Sequence, residues 1–434
     1  MDHEHDELDE AYDAEPASPE ITAGIACASL LGNPRGWIRR RVETIDMLAH
    51  EETHRRVSID LALPPEQYDA LTIADGVVVP ISVLTKERRR NFSLRDEAGR
   101  AIPVLGKQQN GELAHIALLS AAYDALPEQP SLDVLEMISA DLRQVVMQPP
   151  DEALETVDHI ERAGEAGDPW RGSIVDDEVC RSLLSTLSQN YVLFAVLAPD
   201  GARRRILKYS YSEDFTGELT PATWRDRLRL WLRAAWRPDR RLFVIECPGA
   251  GRAASFHLEI STAEELRFAQ AVLFDNETGE TASSWDRNVN RASLYAPDMV
   301  DEYGVDAFVE IAPERTGATS QAAVTSCIVA GLLWAGYLSN LDPSAPGPAV
   351  SLLVAGAALV SGVSATRGEH RLVKRVFSRA RLWLALVTIA GLVASASLAL
   401  EIPDREPTEV WIWAAIVCTA AAVQRTWAAV RAPA

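Results

Sequence analysis

The sequence predicts an α+β cytoplasmic region, antiparallel and β-rich with a sandwich-like second half, joined to a C-terminal four-helix transmembrane bundle. Three observations predict it. Four long apolar runs follow Arg315. Short alternating strands with turn residues between them fill residues 191–315. The charge is divided between two unlike parts. From Ala318 onward there are nine Arg/Lys and six Asp/Glu, which leaves 33 Arg/Lys against 56 Asp/Glu before it, within a chain of net charge −20. So acidic a soluble part repels phosphate and excludes nucleic acid as a partner.

Residues 1–36 open with MDHEHDELDEAYDAEPASPE, which has nine acidic residues and no Lys or Arg. That is the reverse of a secretory signal and predicts a solvated, disordered tail. His3 and His5 belong to it. Ile21 to Trp37 holds Gly24, Gly32, Pro34 and Gly36 and reads as irregular. An α+β domain is expected over 37–150. It begins with a helix from Trp37 to His54, then a strand in which Val57, Ile59, Leu61 and Leu63 alternate with polar residues. Val77 to Leu84 is a second strand. Phe92–Leu94 and Ile102–Leu105 flank a turn at Asp96–Gly99, and helices follow at 111–126 and 131–147. Residues 151–190 read as a linker or a polar helical connection.

In the β-rich domain, 191–315, Tyr191–Ala198 and Arg204–Tyr211 flank Pro-Asp-Gly as a hairpin candidate. Strands are expected at 241–247, 255–260, 266–275, 293–296 and 306–311. One helix interrupts them, carrying WRDRLRLWLRAAW. There Trp224 and Trp231 fall on an apolar stripe and Arg229 and Arg233 lie opposite. Such a helix can rest on an anionic membrane surface or pack on the sheet with its arginines in water, and the second reading is the plainer one.

Residues 316–434 hold four spans, about 318–340, 348–366, 382–400 and 410–430. Each approaches the ~20 residues that a bilayer core requires, the last with Arg425 reaching to the headgroups. The loop between the second and third spans carries Arg367, Arg371, Lys374, Arg375, Arg379 and Arg381. By the positive-inside rule this loop, the C-terminus and the N-terminal region are cytoplasmic, in an inner (plasma) membrane. Trp334, Tyr337, Trp411 and Trp413 would form the outer aromatic belt. Small residues, including Gly356 and Gly362, allow close helix packing, within one bundle or between copies of a homo-oligomer. The first three spans lack ionisable residues, which argues against an ion-coupled carrier.

His50-Glu51-Glu52-Thr53-His54 matches H-E-x-x-H, in which two histidines one helical turn apart hold zinc and the Glu is general base. On the expected helix, however, Ile38, Val42, Ile45 and Ala49 form the core face, and His50, Glu51 and His54 turn toward water. Third ligands (Asp60, Glu66, His115) are merely not excluded. Zinc is thus a cofactor only under the alternative of a membrane-bound metallopeptidase; otherwise no cofactor is expected. Gly249-Ala250-Gly251 is a weak phosphate loop, and His257 reads as a surface residue. Five scattered cysteines form no metal-binding spacing.

RRVSIDLALP (55–64), VPISVLTKERRRN (79–91) and QNGELAHIALL (109–119) resemble uncharacterised multi-pass membrane proteins of GC-rich bacteria. The resemblance implies architecture and no activity. The sequence therefore favours a non-enzymatic sensor, scaffold or effector. Its partners are the lipid bilayer and a protein or small ligand for the cytoplasmic domain. A zinc peptidase and an oligomeric channel are the alternatives.

Overall fold

The computed structural model describes residues 18–47, 52–86, 90–214, 241–247, 249–275, 284–288, 290–297, 305–314, 318–338, 355–357, 376–399 and 407–431. From the N-terminus the chain forms α1 (Pro19–Gly32), β1 (Ile38–Asp46), β2 (Glu52–Ala62), the single turn α2 (Pro65–Tyr68), β3 (Thr72–Ile73), β4 (Gly76–Thr85) and β5 (Arg90–Arg95). Helices α3 (Lys107–Ala125), α4 (Leu132–Met147), α5 (Pro150–Glu165), α6 (Pro169–Asp176) and α7 (Glu178–Gln189) follow. Then come β6 (Asn190–Leu197), β7 (Arg204–Asp214), β8 (Arg241–Cys247), β9 (Ser255–Ser261), β10 (Leu266–Asp275), β11 (Ser284–Asn288), β12 (Arg291–Pro297) and β13 (Val305–Pro313). The C-terminal helices are α8 (Ala318–Leu338), α9 (Ser378–Ala399) and α10 (Pro407–Arg431). The chain is α+β with mixed sheets, and it divides into two units.

The first unit takes residues 1–39, 59–87 and 94–207. Its centre is β4, with nine of ten residues buried, hydrogen-bonded to β3 and β6 in a three-stranded antiparallel sheet. Burial on both faces explains the unbroken apolar run Val77–Val79. The segment read as irregular is instead α1. The Ser18 hydroxyl accepts from the Ile21 amide, and Pro19 stands in the first turn, where its missing N–H costs nothing. Gly24 does not break α1; it admits α3, since a Cβ there would lie 2.3 Å from Ile116 Cγ2. Of the two readings of 151–190, a linker or a helical connection, the stretch takes the helical one, as α5, α6 and α7 packed on one another and on α3 and α4. The hairpin expected across Pro199–Gly201 does not form. β6 joins β4, whereas β7 joins the other sheet, so the turn separates two sheets.

The second unit takes residues 40–58, 88–93 and 208–434. A seven-stranded sheet, ordered β11-β12-β9-β1-β2-β7-β5, faces the three-stranded β10-β13-β8. The expected antiparallel pattern is corrected at β1, which runs parallel to β9, pairing Thr44 with Glu259 and Asp46 with Ser261. Phe256, Leu258 and Leu294 from one sheet share a core with Phe243, Leu273 and Val309 from the other. Alternation puts His257, Glu259 and Ser293 on the opposite face. Val376, Phe377 and Ala380, at the foot of α9, lie in that same sandwich core.

Helices α8 and α9 are long and apolar enough to cross a membrane, over Ser320–Leu338 and Ala380–Ser397. Of the expected second span only residues 355–357 are described, and they are helical. The expected fourth span, α10, packs against α8 and α9 through Val329, Leu333, Val387, Ala415 and Cys418. Two expectations for it are corrected. Arg425 does not reach outward but is fully buried, its Nε donating to Gln424 Oε1. Trp411 is also buried and donates to the Leu333 carbonyl at 2.6 Å, so it fastens α10 to α8 instead of joining an interfacial belt. Trp334 does likewise, donating to Thr419 Oγ1 at 2.8 Å.

Candidate functional site

The described residues between Trp37 and His54 do not form the expected helix. They make β1 and the start of β2, and the reason is written in the burial of β1. Arg41, Glu43 and Ile45 alternate inward, as do Thr53, Arg55 and Val57 on β2. The inward row is charged for two positions before it becomes apolar. A search for alternating apolar residues therefore misses the strand.

These inward charges form one buried cluster. Arg41 Nε donates to Glu43 Oε1 at 2.6 Å, and Arg41 Nη2 donates to Tyr209 Oη at 2.8 Å. Arg55 Nη1 lies 3.3 Å from Glu43 Oε2, and Arg55 Nη2 lies 3.1 Å from Glu213 Oε1. Both terminal nitrogens of Arg55 also donate to the Glu246 carbonyl at 3.0 Å. Tyr209 stacks on Phe92 and on Tyr211, at centroid separations of 6.4 and 6.2 Å. Gly249 lies against the Arg41 guanidinium so closely that a Cβ would stand 2.3 Å from Cζ.

Two guanidiniums and two carboxylates balance. Burial pushes the Glu43 carboxyl up, but Arg41 and Arg55 outweigh it and hold the group below its ordinary range. Burial raises the Tyr211 phenol despite Arg55, and burial with Glu43 raises the Cys247 thiol. Both stay protonated, so neither is poised as a nucleophile or base at neutral pH. Such a layer fixes strand register: a slip of one residue would put these charges on the other face of the sheet.

The other face of the same sheet carries a concavity of about 300 Å³, lined by Thr44, Asp46, Arg56, Glu259, Ile260, Ser261, Arg291 and Ser293. Arg56 Nη2 is 2.6 Å from Asp46 Oδ2, and the Ser261 hydroxyl donates to Asp46 Oδ1. Beside it, His257 packs on Tyr295 at 4.4 Å between centroids, half-buried and not fully at the surface.

The structure scatters the sites expected from sequence. His54 lies on β2, its Nδ1 3.5 Å from Ser212 Oγ. His54 is therefore on a strand and not on the helix that the H-E-x-x-H reading requires. His50 and Glu51 lie outside the described residues, as do Trp224, Trp231, Arg229 and Arg233 and the basic residues Arg367, Arg371, Lys374 and Arg375. Arg379 and Arg381 open α9. His115 belongs to the first unit, where its Nε2 lies 3.0 Å from the Ser139 carbonyl and 3.2 Å from its hydroxyl. Among the described residues no three His, Cys, Asp or Glu are grouped to hold a metal ion. Gly249–Gly251 closes over Arg41 as part of a 3₁₀ turn and opens no helix. Sequence reasoning missed the buried cluster and the trough alike. The available signal was charge continuing an apolar period of two, as in Arg41-x-Glu43-x-Ile45.

No family model matches the chain, and no curated protein matches it.

Proposed function

We propose that the chain is an integral protein of a bacterial inner membrane, acting as a non-enzymatic sensor or scaffold. Four transmembrane helices anchor it, and its sandwich unit works at the cytoplasmic side. The observation that carries this reading is the seat of Val376, Phe377 and Ala380 in the sandwich core. A domain on a loose tether could not pass a change to its anchor. One that encloses the foot of a span within its own packing can, because packed cores shift between discrete arrangements and do not deform continuously.

The character of the helices supports the membrane part. Only 33% of the apolar stretch of α8 and 39% of that of α9 is buried, whereas a core helix of a soluble protein would be mostly covered. Val324, Ile328, Ile389 and Val393 are all more than half exposed. Such an apolar surface is at home in lipid. The basic run from Arg367 to Arg381 supports the orientation.

The test is cysteine accessibility in cells. Ser293→Cys, made in a Cys327→Ser background, is expected to stay with the membrane fraction. It should react with a membrane-impermeant maleimide only after permeabilisation. Reaction in intact cells would overturn the orientation, and recovery in the soluble fraction would overturn the anchoring.

A further inference from the structure

We infer that the trough on the outer face of the seven-stranded sheet binds a small zwitterion of amino-acid size, its ammonium on Glu259 and its carboxylate on Arg291. The inference deepens the sensor reading and rests on it only for what binding would signal.

One wall of the trough is already committed. Asp46 has both oxygens occupied, one by the Ser261 hydroxyl and one by Arg56. The other wall is not. The side chains of Glu259 and Arg291 make no hydrogen bond or ion pair among the described residues, although they stand on adjacent strands. Glu259 pairs with Ser293, while Arg291 pairs with Ser261, so the two charges lie on a diagonal ~7–8 Å apart at the backbone. One anion and one cation thus line a single concavity without a bond between them. Thr44, opposite Glu259 on β1, and Ser293, opposite it on β12, place a hydroxyl on either side of the carboxylate.

The chemistry that fits is narrow. A plain anion would meet Glu259, and a plain cation would meet Arg291. A neutral polyol can donate to Glu259 and accept from Arg291, but it neutralises neither charge. A molecule with one ammonium and one carboxylate satisfies both at once, with the hydroxyls completing the ammonium's hydrogen bonds. A concavity of about 300 Å³ is at the lower end of the range of small-molecule pockets.

The experiment is calorimetric titration of the full chain in detergent with each proteinogenic amino acid, repeated with the N-acetyl and amide derivatives of any that binds. At least one is expected to bind with a Kd below about 1 mM. Binding should weaken at least tenfold in Glu259→Gln, in Arg291→Gln and for both derivatives. Absence of binding by every amino acid would overturn the proposal, as would binding that both substitutions leave unchanged. Hydrogen exchange over residues 376–384, with and without the bound amino acid, separates the site from the sensor reading. Altered exchange supports both. Binding with unaltered exchange leaves the site standing and overturns the sensor reading.

Discussion

Arg41 and Glu43 stand two residues apart on the inward face of β1, joined by a 2.6 Å hydrogen bond, and neither is more than 3% exposed. A buried pair of this kind offsets its own desolvation only while both partners remain. Glu43→Gln should therefore cost about 3–5 kcal/mol, because it leaves Arg41 and Arg55 without a shared counter-charge. Denaturant unfolding of the detergent-solubilised protein would read this. Replacing Arg41, Glu43 and Arg55 together with apolar residues of similar volume should cost much less than Glu43→Gln alone.

Gly249→Ala should destabilise the second unit by about 1–3 kcal/mol. The new methyl would meet the Arg41 guanidinium, with Cβ 2.3 Å from Cζ. A free arginine would swing aside, but this one is held by Glu43 and Tyr209. Thermal unfolding checks the loss. In an Arg41→Met background the same substitution should cost measurably less, since the thioether has no such bonds to break.

Acid should weaken the chain in two windows. Burial beside Ser139 holds the His115 imidazole below its ordinary value of 6.5, although the Ser139 hydrogen bond opposes the shift. Below pH 6.5 the unfolded chain takes up a proton that the folded chain does not. Stability is thus fully present above that pH and is lost as pH falls toward the folded value. Glu43, held low by its arginines, gives the second window, below its ordinary value of 4.5. Its contribution is present above that pH and is lost as pH falls through the depressed value. Melting temperature followed from pH 7.5 to pH 5 should fall, and His115→Gln should flatten that part of the curve.

What could be read from the sequence was whatever obeyed one rule at a time. The alternation Val57-Ile59-Leu61 marked β2, Phe256-Leu258-Ile260 marked β9, and uncharged length marked α8 and α9. Long-range requirements hid the rest. Arg41 and Glu43 disguised β1 because, apart from each other, their partners Arg55 and Tyr209 are 12 and 168 residues away along the chain. Gly24 read as a breaker, although its purpose is contact with Ile116. The turn at Pro199–Gly201 was legible, but the assignment of its two strands to different sheets was not. No local pattern pointed to the trough. It exists only because the parallel pairing of β1 with β9 brings Thr44 and Asp46 beside Glu259 and Ser261.

The central claim is that the sandwich and the foot of α9 share one core, and Val376 tests it most directly. It is 1% exposed in that core, and cysteine is close enough in volume to replace it without a large cavity. In a Cys327→Ser background, Val376→Cys should resist a maleimide in the folded, detergent-purified protein and react fully once the sandwich is unfolded. Reaction in the folded protein at the rate shown by Ser293→Cys, exposed on β12 and made in the same background, would mean that the sandwich does not hold the helix.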